Sequence, residues 1–179
     1  MKRAVLVIDV QKALFDSEPR PFDADKTVER INAVTSSARA AGLPVIFIQH
    51  EAPESAVANG TSGWQLEGNL GVAKSDLRVR KTTPDSFLRT DLEMLLKERG
   101  VNHLIVCGYA TEFCVDTTVR RAAGLGFSVA LVSDGHTTHD KPHASGEVIR
   151  EHHNRTLPSI QSFGVKIAAT PSEALLSSF

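Results

Sequence analysis

Short aliphatic runs that alternate with segments of helical periodicity limit the folds open to this chain more than any other feature. Ala4-Val5-Leu6-Val7-Ile8 is continuous and apolar, the pattern of a strand buried on both faces. Residues 25–41 then carry Val28, Ile31, Val34 and Ala38 at helical spacing, and Gly42 closes the segment. A strand over 44–48 follows, and Leu77-Arg78-Val79-Arg80 reads as a short alternating strand. Leu92, Leu95 and Leu96 mark a helix ended by Gly100, ahead of a strand over 101–106. Val115, Val119 and Ala122 mark the next helix, closed by Gly124 and Gly126, before a strand over 127–132. A helix over 145–155, a strand over 165–168 and a short helix from Ser172 complete the pattern. Such alternation predicts a parallel sheet with helices on both faces, joined by right-handed crossovers. With no internal repeat and no linker, residues 1–179 are expected to form one domain around its own core.

Charge and hydropathy narrow the function. The net charge of -1 leaves no basic surplus for nucleic acid or an anionic membrane, and no apolar stretch approaches the roughly 20 residues of a membrane span. Met1-Lys2-Arg3 and the apolar run behind it resemble the start of a signal peptide. The run stops at Asp9, too early, and no cleavage site follows. The expectation is a cytoplasmic protein whose two cysteines are free thiols. One segment breaks the rhythm. Residues 51–74 are rich in Gly, Ser, Ala and Asn and hold Trp64, the single tryptophan. A loop of that length is usually functional or disordered, so Trp64 is either a pocket wall or a staple to the body.

The chemistry gathers at predicted strand ends. In an open α/β sheet the carboxyl ends of the strands line the ligand crevice. Asp9 ends the first strand, and Gln11 two residues on removes the second aspartate that a haloacid dehalogenase would need. Lys81 ends the 77–80 strand ahead of Thr82-Thr83-Pro84. Cys114 stands six residues after Gly108, at the expected start of a helix. A helix dipole and a nearby ammonium both favour the reactive thiolate, and a carboxylate beside a thiol can take its proton. A nucleophile, a base and an orienting group at three strand ends would make a nucleophilic triad.

Leu6-Val7-Ile8-Asp9-Val10-Gln11, Lys81 with Phe87, Gly108-Tyr109-Ala110-Thr111-Glu112-Phe113-Cys114-Val115 and Val132-Ser133-Asp134 lie in a recognisable order. In these the chain resembles the isochorismatase-like cysteine hydrolases, which include nicotinamidases, N-carbamoylsarcosine amidohydrolases and ureidoacrylate-type amidases. The resemblance implies a three-layer α/β sandwich whose six-stranded parallel sheet has order 3-2-1-4-5-6. It implies Asp9, Lys81 and Cys114 as the catalytic triad and a cis Tyr109–Ala110 peptide. It also implies an oxyanion hole made by the amides of Ala110 and Cys114, where one donor is typically worth roughly 2.7–4 kcal/mol. A homo-oligomer, dimer or tetramer, is implied as well.

Departures from the relatives bear on the substrate. Nicotinamidases hold a metal with an Asp-x-His and further histidines after the second strand. Here that place reads Gln49-His50-Glu51-Ala52-Pro53, with no further histidine before His103. The reading is therefore a metal-independent enzyme without cofactor, and not a nicotinamidase. Isochorismatases proper cleave a vinyl ether without a thiol, so Cys114 points to C–N hydrolysis instead. Gly63-Trp64-Gln65-Leu66 resembles the streptothricin-hydrolase-like members. Phe15, Trp64, Phe87, Tyr109 and Phe113 are candidates for lining a small-molecule substrate pocket, each with core packing as the alternative. Ester or carbamate cleavage at the same site, or a non-catalytic binder on this fold, are the rival functions. Cys107, inside a strand, reads as a core thiol. Asp134 and His136 are expected to follow the fourth buried strand at the rim, and His139 and His143, with Pro142 between them, read as loop histidines.

Overall fold

Six strands form one parallel sheet in this computed structural model, which describes residues 2–179. They are β1 (Arg3–Ile8), β2 (Val45–His50), β3 (Leu77–Lys81), β4 (His103–Tyr109), β5 (Ser128–Thr137) and β6 (Ile167–Thr170). Their order across the sheet is β3-β2-β1-β4-β5-β6, the order implied by the resemblance. The helices are α1 (Lys12–Phe15), α2 (Ala24–Ala40), α3 (Leu92–Glu98), α4 (Asp116–Gly124), α5 (Gly146–Thr156) and α6 (Ser172–Leu176).

Side-chain alternation along the central strands divides the core in two. Leu6, Ile8, Ile46, Ile48, Leu104, Val106 and Leu131 face one layer, where Leu92 and Leu96 of α3 and Val119 and Ala122 of α4 cover them. Val5, Val7, Val45, Phe47, Ile105 and Val132 face the other, beneath Val28, Ile31 and Val34 of α2 and Leu175 of α6. Fully burying one such aliphatic side chain is worth about 1.5–3 kcal/mol, so the two clusters dominate the stability. From Ala4 to Ile8 the first strand carries no polar residue because both of its faces are covered.

Two strands run further than the sequence pattern suggests. β4 continues through Gly108 to Tyr109, beyond the strand expected over 101–106. Gly108 has φ +120°, and a Cβ there would lie 2.1 Å from the carbonyl oxygen of Ile8. Glycine thus lets β4 press against β1 just where both strands deliver their candidate site residues. Gly108→Ala is expected to lower stability by more than about 3 kcal/mol, read from the urea midpoint. An unchanged midpoint would mean that β1 and β4 can separate to admit a methyl group. β5 likewise runs on through Ser133-Asp134-Gly135-His136, past a register shift against β4 between Val106 and Gly108.

His136 is therefore inside a strand and fully buried, not at the rim. Asn154 donates to the Ser133 carbonyl, so its side-chain oxygen receives the His136 Nε2–H at 2.9 Å. The Thr111 hydroxyl then donates to Nδ1, also at 2.9 Å. Burial pulls the His136 pKa down to about 4, and the neutral ring ties the fifth strand to the turn that carries Cys114.

The long 51–74 segment is packed rather than extended. Lys12 and Ala13 donate backbone hydrogen bonds to the carbonyls of Gln65 and Gly63, and Glu67 donates to that of Val10. Leu66 and Leu70 enter the core against α2. Arg39 of α2 holds Asp76 with a two-pronged ion pair at 2.9 and 2.8 Å.

Candidate active site

The carboxyl ends of β1, β3 and β4 converge on one buried cluster. Asp9 directly follows β1 and takes φ +52°, a left-handed turn that a short polar side chain tolerates. Its amide still donates to the Ile48 carbonyl, so the turn begins only once the β1–β2 ladder is complete. Lys81 is the last residue of β3, with a wholly buried side chain. Its Nζ lies 2.6 Å from Asp9 Oδ2, 3.2 Å from Cys114 Sγ and 3.1 Å from the Thr83 carbonyl. The other carboxylate oxygen, Asp9 Oδ1, is buried without a hydrogen-bond partner among the described residues. The sequence candidates Asp9, Lys81 and Cys114 thus stand within contact of one ammonium.

Cys114 does not begin an α-helix. It lies in a single π-helical turn, Thr111–Val115, that leads directly into α4. The Tyr109–Ala110 peptide before it is cis. The Ala110 carbonyl accepts the amides of Phe113 and Val115. Such turns often mark functional sites because they displace a side chain from the regular helical face.

The thiolate expected from helix dipole and ammonium is not the resting form. Burial first, and the Asp9 carboxylate second, push the Cys114 thiol up to about 12, against the opposing pull of Lys81. Cys114 therefore rests as a thiol beside a carboxylate with a free oxygen. Alkylation of Cys114 by iodoacetamide is expected to rise about tenfold per pH unit well beyond pH 9, following the thiolate fraction. A plateau reached below pH 8, measured by mass spectrometry of the modified peptide, would contradict this. Cys107 is fully buried with its thiol against the Leu6 carbonyl at 3.4 Å, and burial drives its pKa up as well. It is a core thiol, as its place in the strand suggested.

The aromatic candidates occupy different surroundings. Trp64 lines a groove of about 870 Å³ beside β3, together with Gln49, Glu51, Arg78, Arg80 and Thr82. Its carbonyl accepts the side-chain amides of Gln11 and Gln49 at 2.9 and 3.0 Å, so pocket wall and staple coexist in one residue. Tyr109 is half-buried and its hydroxyl bonds His139 Nδ1 at 2.8 Å. Phe15 is fully buried, edge-on to Tyr109 at 5.8 Å. Phe87 belongs to the core and stacks on Phe127 at 5.9 Å. Phe113 is 54% exposed, with the Lys141 ammonium 5.5 Å from its ring. Glu112 turns to Thr138 and Lys141, at 3.0 and 3.2 Å.

Gln11 and His50 join the site without having stood out in the sequence as site residues. Gln11 is fully buried, accepts the His50 amide at 2.8 Å and donates to the His50 carbonyl at 3.0 Å. The only signal for it was a glutamine directly behind a buried strand, a place where a polar side chain needs partners.

Thiol, carboxylate and buried ammonium at the strand ends of a doubly wound parallel sheet define a class that sequence and structure comparisons specify further. Residues 3–168 match the isochorismatase domain, and the chain belongs to that family. It is 39% identical over 145 residues to a streptothricin hydrolase of Streptomyces noursei, a match covering 80% of this chain. The chain spans little more than half the length of the streptothricin hydrolases it matches, 58% of one and 52% of another. An uncharacterised isochorismatase family protein, YecD of Escherichia coli O157:H7, is 30% identical over 145 residues, covering 73% of this chain and 77% of its own. The crystal structure of an isochorismatase family protein superposes with a TM-score of 0.84 at 33% identity, over 93% of this chain and 96% of the other. No helix among the described residues is long and apolar enough to cross a membrane.

Proposed function

We propose that this chain is a cysteine hydrolase that cleaves a small amide or other C–N substrate through a thioester acyl-enzyme. The observation that carries the reading is the Lys81 ammonium held between Asp9 Oδ2 at 2.6 Å and Cys114 Sγ at 3.2 Å. A charge wholly buried at a strand end is unfavourable without such partners, and a binding module has no need of all three groups.

Asp9 takes the thiol proton on its free oxygen as Cys114 attacks the carbonyl carbon. The amides of Ala110 and Cys114 receive the developing oxyanion. Asp9 returns the proton to the departing amine, which leaves a thioester on Cys114. Water, deprotonated by Asp9, then attacks the thioester, and the thiol regains its proton as the acid departs. Lys81 keeps the carboxylate and sulfur oriented through both halves. A thiol that rests protonated suits this sequence, because deprotonation then coincides with attack. Trp64, Tyr109 and Phe113 line the approach, with Phe15 and Phe87 supporting them from the core. Two free cysteines agree with a reducing, cytoplasmic setting.

A screen of small amides, esters and carbamates tests the reading, with streptothricin included because of the relatives' name. Nicotinamide and isochorismate are the expected negatives. Turnover of an amide that disappears in Cys114→Ala supports the proposal. Preference for esters or carbamates would move the chemistry to the rival class, and rapid nicotinamide hydrolysis would overturn the argument from the missing histidines.

A further inference from the structure

The Lys81 ammonium has three N–H bonds and four acceptors around it. Asp9 Oδ2, the Thr83 carbonyl and Cys114 Sγ lie at 2.6, 3.1 and 3.2 Å, and His50 Nδ1 is the fourth at 3.5 Å. In the resting protein the three nearer groups use the three N–H bonds, and His50 stands by at slightly longer range.

We propose that His50 is a positioning residue: its Nδ1 takes over the Lys81 N–H that Cys114 Sγ gives up when the sulfur is acylated. This rests on the thioester reading and extends it to the second half of the cycle. In acylation the Sγ–C bond forms, the bond from carbonyl carbon to leaving group breaks, and the thiol proton departs through Asp9. The thioester sulfur shares its lone pair with the new carbonyl and accepts hydrogen bonds more weakly than before. The Lys81 side chain is wholly buried, so water cannot replace the lost acceptor. His50 pairs with Lys81 in the β2–β3 register, which puts its Nδ1 within reach of the ammonium.

Two features suit His50 to this task. The ring must be neutral to accept from an ammonium. Burial, and then the Lys81 charge, hold its pKa below the ordinary value, against the weaker opposing pull of Asp9 and Glu51. The main chain must also hold still. The Gln11 side chain grips both the amide and the carbonyl of His50, continuing the β1–β2 pairing beyond the end of β1. A fully buried glutamine that holds both the amide and the carbonyl of one residue, and the Trp64 carbonyl besides, is explained if that residue's ring has to stay opposite Lys81.

Hydrolysis of p-nitrophenyl acetate separates the two halves of the cycle. The burst of p-nitrophenolate reads acylation, and the steady state reads deacylation. His50→Leu is expected to leave the burst rate within about twofold and slow the steady state about tenfold, with acetyl-Cys114 accumulating in the intact mass. His50→Asn, whose side-chain oxygen approximates the position of Nδ1, is expected to restore the steady state to within about threefold. Equal slowing of both phases, no change in either, or a folded His50→Asn that fails to rescue would each overturn the proposal. His50→Phe takes the place of the leucine variant if that one does not fold by circular dichroism. A wild-type protein that never acetylates at Cys114 would overturn the thioester reading itself, and the proposal with it.

Discussion

Cys114→Ala is expected to reduce hydrolysis by about 10⁴-fold or more in kcat while the protein stays folded. The two effects separate because the thiol is one of several acceptors around Lys81. Without it the ammonium keeps Asp9 Oδ2 at 2.6 Å and the Thr83 carbonyl at 3.1 Å, with His50 Nδ1 within reach. No buried charge is orphaned, and only one sulfur atom's packing is lost. The unfolding free energy should change by no more than about 1–2 kcal/mol. Steady-state assays with the best substrate of the screen, set beside urea unfolding, make the comparison. Residual activity within a hundredfold of wild type would rule out a nucleophilic role for the cysteine.

Asp9→Asn is expected to do both kinds of damage. It removes the proposed base, and it leaves the wholly buried Lys81 ammonium without its counter-charge. Breaking a buried ion pair from one side typically costs about 3–5 kcal/mol, so unfolding should shift to much lower urea. Adding Lys81→Met removes the stranded charge. The double variant is expected to regain most of the lost stability and none of the activity, which should remain at least about 10³-fold down. A double variant no more stable than Asp9→Asn alone would mean that the loss does not come from a stranded charge. The pair is thus better understood as a functional arrangement than as a device for stability.

The sheet was legible because both faces of its central strands are buried, which forces continuous aliphatic runs such as Ala4–Ile8. Asp9 and Lys81 were legible for the same reason, as polar residues at the ends of such strands. The features that local pattern hides depend on partners distant in sequence. The end of β5 reads as a polar loop, Ser133-Asp134-Gly135-His136, because nothing local shows that Asn154 and Thr111 will satisfy a buried His136. The π-turn around Cys114 has no periodic signature over five residues, so an α-helix start was the natural reading. The protonation of the thiol turns on burial by the assembled fold, and a local dipole argument points the other way. Gln11, read as the absence of a second aspartate and as the end of a resembling motif, shows its contacts only when His50 and Trp64 arrive from residues far along the chain.

β3, the strand that carries Lys81, is the outermost strand of the sheet and is paired on one side alone. Edge elements open at a smaller free-energy cost than the centre of a domain. Displacing β3 would carry the ammonium away from Asp9 and Cys114 while β1 and β4 stayed paired. On the proposed mechanism, catalytic competence and global integrity are therefore separate thresholds in this molecule. With rising urea, hydrolysis should fade before the far-ultraviolet circular dichroism changes, and return at once on dilution. The centre of the sheet keeps the protein folded, and its border decides whether the protein can work.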